Sequence, residues 1–319
     1  MKARMKPYTP GRRAALIFGL AMTSAGQLAH HQAVTGDGPI TPAFWWTLAA
    51  CALLAALSVQ ACTALDKPGW QRSLGALLFG GWVLFFWQIG VVAFQVPRVL
   101  LPAPLSIAQS LFEHAGLLAG DFVQTALKAV LLGWLAGSGL GFAVGVAIDR
   151  SPWLQRGLLP VASLSSTIPL VAVAPIMVMW FGFEWPSKAA VVVLMTFFPM
   201  LVATLAGLQA AGRLERELMH SYAASYTQTL IDLRLPCALP YIVSALKVNA
   251  SLALIGAIVA EFFGSPTVGL GFRISTEAAK MNMSLVWSAI VVAAASGSLA
   301  YTLLVRLERR WAFWHPSVR

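Results

Sequence analysis

Six charged side chains crowd one stretch of this 319-residue chain: Arg213, Glu215, Arg216, Glu217, Asp232 and Arg234 all lie between Gly212 and Pro240. Charges of both signs on a short amphipathic segment suit polar contact with a partner surface. Bond-breaking chemistry has no comparable set. A Walker A loop needs Gly-x-x-x-x-Gly-Lys-Ser/Thr to cradle phosphates, and the chain contains no Gly-Lys dipeptide. There is no HExxH pair, CxxC pair or GxSxG elbow, and the five histidines, His30, His31, His114, His220 and His315, are scattered. The expectation is a chain that is not an enzyme and holds no metal or cofactor.

The carboxylate of Glu261 stands apart because it falls inside the end of an apolar run. An ionisable group at membrane depth is costly and tends to face a cavity or a partner, which makes Glu261 a candidate for a translocation path or gate. The other reading is an interfacial residue that is hydrated or paired with Arg273. Pro169 and Pro175 interrupt a second apolar run and suggest a kinked, path-facing helix, since neighbouring helices can satisfy the freed carbonyls.

The elements that would position these residues are set by composition. Hydrophobic residues make up 58% of the chain, charged residues 11%, and mean hydropathy is +0.75, far from globular averages. Apolar stretches of about 20 residues recur, the length of a membrane-crossing helix. The short alternating segments of a transmembrane barrel are absent. The fold class is therefore all-α, a polytopic helical bundle.

Eight spans are predicted: 14–29, 43–65, 74–94, 126–148, 161–183, 189–208, 241–262 and 285–304. The first follows the five basic residues of 1–13 and reads as a short span in preference to a signal peptide. The formal charge of +10 would admit nucleic acid as a partner, but the basic residues lie between spans. Those near 1–13, 67–72, 150–156, 213–234 and 306–319 fall on one side; Arg98, Lys128, Lys188, Arg273 and Lys280 fall on the other. The positive-inside rule then puts both termini in the cytoplasm of a bacterial inner membrane and leaves no need for nucleic acid. Cys51, Cys62 and Cys237 read as small buried hydrophobes.

Two connections stand out in this frame. The cytoplasmic stretch 212–240 is long for a connector and is expected to form one or two short surface helices open to a partner. Across the membrane, 264–284 carries Gly264, Gly269 and Gly271 and reads as a flexible loop. Gly133, Gly137, Gly141 and Gly145 recur every four residues along one span, a small-residue stripe for close helix packing. Trp180, Trp185 and Trp287 read as interface anchors.

Within 212–240, Glu217 is followed six positions later by Ala223, ten after that by Leu233, and then by Leu235-Pro236. This spacing resembles the EAA loop of binding-protein-dependent ABC importer permeases, with Ala223 where that loop has glycine and Leu218-Met219 where it has two alanines. If position 223 needs a left-handed backbone, alanine there costs about 1 kcal/mol relative to glycine. Ile168 to Pro175, Trp180 to Phe183, Phe197-Phe198-Pro199, Val259 to Phe262, Gly269-Leu270-Gly271 and Trp314-His315-Pro316 are similar to the nitrate, sulfonate, taurine and thiamine-precursor branch of that family.

The resemblance implies a six-helix permease core (73–319) after an N-terminal extension (1–72) with one or two helices. It implies a pair of permeases, a homodimer or a heterodimer of similar chains. It also implies two cytoplasmic ABC ATPase subunits that bind ATP and magnesium, and a periplasmic binding protein that delivers a small anion or heterocycle. On this chain it assigns ATPase docking to Arg213, Arg216, Glu217, His220, Ala223, Leu233, Leu235 and Pro236. The rival class is an ion-gradient-driven secondary transporter, which would want several intramembrane carboxylates and inverted repeats.

Overall fold

The computed structural model describes residues 42–63, 70–151, 170–264 and 267–311, with the single positions 153 and 157. The predicted span 14–29, Pro169 and the 314–316 segment lie outside the described residues. Among the described residues there are helices and no strands. Apolar backbone in lipid must satisfy its own hydrogen bonds, and a helix does so within one segment.

The chain divides into two compact units, 1–109 and 110–319. In the first, α1 (Pro42–Thr63) packs on α2 (Trp70–Ala93) through Phe44, Cys51, Trp82, Ile89 and Ala93. Trp82 Nε1 donates to the fully buried Ser58 hydroxyl at 3.0 Å, so the indole keeps its polar partner in an apolar contact. α3 (Pro104–Glu113) carries the unit boundary.

The second unit is built on a helix that runs unbroken from Ala115 to Asp149, well beyond the expected 126–148. It comprises α4 (Ala115–Phe122), a π-helical segment (Val123–Leu131) and α5 (Leu132–Asp149). Asp121, Thr125, Ala129 and Gly133 are buried at four-residue intervals. The wider π turn keeps that repeat on one face longer than a 3.6-residue turn can. The polar Asp121 and Thr125 lie in the part of this helix that precedes the expected start at 126.

α6 (Leu170–Phe181) contains Pro175 within a helix, exposed on its face. α7 (Trp185–Gln209) lies along α5, and the glycine stripe sets their approach. A Cβ at Gly133 would stand 2.7 Å from Val192 Cβ, at Gly137 2.7 Å from the Val193 carbonyl, and at Gly145 2.9 Å from Thr204 Cβ. α8 (Arg213–Ser221) is followed by α9 (Tyr226–Gln228), a second π segment (Thr229–Arg234) and α10 (Leu235–Phe263). α10 packs on α7, with Gly207 against Ala238 and Gly256 against Met195. Asn249, fully buried, joins three helices by donating to Ser138 Oγ at 3.0 Å and to the Thr196 carbonyl at 2.8 Å.

α11 (Leu270–Ala279) and α12 (Met283–Trp311) complete the unit, and Leu270, Leu285, Ala289 and Ala293 share a core with Leu118. The stretch 264–284 is therefore a packed helix in its middle, not a flexible loop. Its glycines serve close approach: Gly269 has φ +144°, and a Cβ there would sit 2.7 Å from the Glu261 carboxyl carbon.

Among the described residues, five helical runs are long and apolar enough to cross a membrane: Gly75–Ala93, Ala115–Asp149, Trp185–Gln209, Tyr226–Phe263 and Met283–Trp311. Phe44–Gln60 and Ala172–Phe181 are shorter apolar helices. The protein is thus a multi-pass membrane protein, with all seven of these at predicted spans.

Candidate docking site

At the end of the second unit that carries Asp149 and Arg234, the segment from Arg213 to Pro236 folds as two helices about a tight turn. None of the nine residues of α8 is buried. Leu214, Leu218 and Tyr222 follow each other at four-residue spacing and are 77%, 56% and 78% exposed. Such an apolar stripe with no covering partner marks an interaction surface. Arg213 Nε donates to Glu217 at 2.7 Å, one helical turn on; both side chains are solvated, so the pair itself adds little stability. Arg216 donates to the Gly212 carbonyl at 3.3 Å, and His220 is exposed in the last turn.

α8 ends in a Schellman turn. Ala224 N–H donates to the Met219 carbonyl at 3.0 Å and Ala223 N–H to that of His220 at 2.9 Å. That geometry requires the left-handed region at the residue after the cap, the usual place for glycine. Ala223 occupies it with φ +53°, so the left-handed backbone weighed from sequence is present and alanine carries its strain. Ser225 then starts the next helix with a capping box: its hydroxyl accepts from Gln228 N–H, and the Gln228 side chain accepts from Ser225 N–H at 2.8 Å.

Leu235-Pro236 sits inside a continuous helical run, Tyr226–Phe263. Pro236 occupies the first turn of α10, where its missing N–H is tolerated. The π segment before it supplies a wider turn at the join. Leu233 and Leu235 are half-buried there, and Leu235 packs on the buried cluster of Leu208, Leu230 and Ala238.

The anchor of this segment is a residue read from sequence only as one basic charge among many. Arg234 donates two parallel bonds to Asp149, at 2.6 and 2.7 Å, and a third to the Leu208 carbonyl at 3.0 Å. The two side chains are 13% and 6% exposed. A bidentate fork of this kind fixes orientation as well as distance. Tyr226 donates to the same Asp149 at 3.1 Å, with the Arg150 guanidinium 5.6 Å from its ring centre. The base of the docking segment is thereby tied to the ends of α5 and α7, while α8 projects unpartnered.

Glu261 lies at the other end of the second unit, 2% exposed. It accepts from Thr125 Oγ1 and from Gly271 N–H, each at 2.7 Å. Leu270 N–H donates to Thr125 Oγ1 and Gly269 N–H to Asp121, both at 2.8 Å. Three successive amides at the start of α11 are thus held by two carboxylates and a hydroxyl, where orphan N–H groups and the helix dipole favour negative charge. Arg273 pairs with Asp121 at 2.8 Å, and the Glu261–Arg273 pair weighed as one alternative is not formed. The Val259 to Phe262 and Gly269 to Gly271 stretches are joined in one structure by these bonds. Lys188, 2% exposed, donates to the Phe183 carbonyl. At the far end of α11, burial opposes ionisation of Glu277, but Lys280 and Asn282, donating at 2.9 and 3.0 Å, hold its carboxyl below the usual range. No cluster with the make-up of a metal site occurs among the described residues.

A helical membrane bundle with an anchored, protruding amphipathic helix between two spans is an arrangement suited to contact with a partner protein. Residues 129–313 match the family of binding-protein-dependent transport system inner membrane components, and the chain belongs to it. It is 34% identical over 221 residues to a probable ABC transporter permease protein of Haemophilus influenzae, covering 69% of this chain and 89% of that one. It is 30% identical to the formylaminopyrimidine transport permease protein ThiX of Halalkalibacterium halodurans, covering 77% and 99%. With the putative aliphatic sulfonates transport permease protein SsuC of Bacillus subtilis it shares 28% identity, covering 79% and 92%.

Proposed function

We propose that this chain forms the translocation path of an ABC importer and that Arg213–Pro236 is the lever through which separate cytoplasmic ATPase subunits drive it. The observation that carries this reading is α8: without a buried residue, apolar along Leu214, Leu218 and Tyr222, charged at Arg213, Arg216 and Glu217, and rooted in the bundle by the Arg234–Asp149 fork. A helix gripped by a partner can transmit a rigid-body movement only if its base is fixed. The end with Asp149 is then cytoplasmic, as the charge asymmetry requires. Two ATPase subunits hold ATP and magnesium, this chain holds neither and is not itself an enzyme, and two permease copies pair around the path. A periplasmic binding protein delivers the solute, a small anion or heterocycle such as a sulfonate, taurine, nitrate or a pyrimidine precursor. Closure of the ATPases moves α8, and through the fork α10, to open the path inward. Pro169, Pro175 and Glu261 remain the path candidates, Glu261 acting by holding α11.

The test is Glu217→Lys, which sets a third cation beside Arg213 and Arg216. Membrane insertion is expected to be unchanged while co-purification with the ATPase and ATP-driven uptake fall at least tenfold, the effect of about 1.4 kcal/mol at the interface. Normal assembly and uptake in that variant defeats the docking assignment. Wild-type uptake that survives ATP depletion and collapses with the proton gradient defeats the importer reading.

A further inference from the structure

Between α10 and α12 a cleft of about 330 Å³ is lined by Ser244, Lys247, Val248, Ser251, Leu252 and Tyr301. Lys247 Nζ donates to both carboxylate oxygens of Glu308, at 2.9 and 2.8 Å, and the two side chains are 16% and 15% exposed. Lys247 lies 13 residues beyond Arg234 and 14 short of Glu261, about 20 Å along the helix from each at 1.5 Å per residue. Lys247 lies near the start of the predicted span 241–262 and Glu308 just past the end of 285–304, so the pair sits toward the cytoplasmic end of both helices, where it is stable against water or protein and costly against lipid. On the same side of α10, Ser244, Val248, Ser251 and Ile255 are exposed, so the hydroxyls and the pair share one uncovered face.

Resting on the importer reading above, we infer that this cleft is a solute subsite of the path, and that its chemistry selects a neutral or zwitterionic hydrogen-bonding solute over a free anion. The ammonium that would attract an anion is already neutralised by Glu308. What remains for the solute is three hydroxyls, each able to donate and accept, and the apolar walls of Val248 and Leu252. A flat heterocycle or an amino-sulfonate uses both; an inorganic anion finds no unpaired positive charge among the lining residues. The subsite lies apart from Glu261 and from the docking helix, and involves α12, which the path assignment from sequence did not include.

The experiment is cysteine labelling of the full chain in inverted membrane vesicles, with Cys51, Cys62 and Cys237 replaced. Ser251→Cys and Ser244→Cys are each treated with anionic sulfonatoethyl and cationic trimethylammonioethyl methanethiosulfonate. A neutral, water-filled cleft gives labelling by both reagents at similar rates. Adding Glu308→Gln frees the Lys247 charge and raises the anionic-to-cationic rate ratio on the order of tenfold. Cysteines inert to both reagents but modified by lipid-soluble N-ethylmaleimide face lipid and overturn the subsite. A spontaneous disulfide between two copies with no labelling makes the face a permease seam and overturns it equally. A rate ratio unmoved by Glu308→Gln overturns the charge-neutral selectivity. ATP-driven uptake by the cysteine-free parent, with its partners, tests the importer reading separately, so either can fail alone.

Discussion

Ala223 holds a left-handed backbone at which a Cβ is strained, and it does so in the turn that joins the exposed helix α8 to its anchored base. Ala223→Gly is expected to stabilise the protein by about 1 kcal/mol. Scanning fluorimetry in detergent would register this as a rise in Tm of roughly 2–4 °C; a fall would mean the turn is not limited by that strain. The Arg234–Asp149 fork works in the opposite sense. Asp149→Asn leaves a nearly buried guanidinium without its charge partner, an effect of about 3–5 kcal/mol. The same measurement should show a large loss, partly restored by exchanging the two residues. Sequence spacing was enough to place Glu217, Ala223, Leu233 and Leu235-Pro236 in one register. It was silent on Asp149, because a partner 85 positions away leaves no local pattern and Arg234 looked like any other cytoplasmic charge. Asp121 and Thr125 were missed for the same reason: they hold α11 from about 145 positions away.

The glycine stripe shows how an element is specified when lipid removes the hydrophobic force between helices. Gly133, Gly137, Gly141 and Gly145 let α5 meet the backbone of α7, and packing supplies the contact energy. Gly137→Leu would drive a side chain into Val193 and Thr196, and the variant is expected to insert but to lose its cooperative thermal transition. An unchanged transition would show that α5 and α7 do not need this approach. Span positions were legible because hydropathy alone nearly fixes them. Their ends were not, since a helix carries polar residues past the apolar window wherever partners wait for them, as at Asp121 and Thr125. The glycines of 264–271 misled for a related reason: a glycine needed for close approach and one needed for flexibility look alike in sequence.

For the molecule as a whole, the two polar ends should lie on opposite sides of the membrane. A fluorescent protein fused after Arg319 is expected to mature and glow in the cytoplasm, while alkaline phosphatase inserted after Met281 is expected to be active in the periplasm. The reverse pattern would invert the orientation and disqualify α8 as an ATPase contact. The Ala223 turn has a mechanical meaning at this scale. A joint made with alanine explores a narrower range than one made with glycine, so it has less slack between the gripped helix and the bundle. On the importer reading proposed above, strain retained at one residue acts as stiffness: a looser, more stable joint would spend part of each stroke bending itself, and the ATP consumed per solute moved would rise as the melting temperature did.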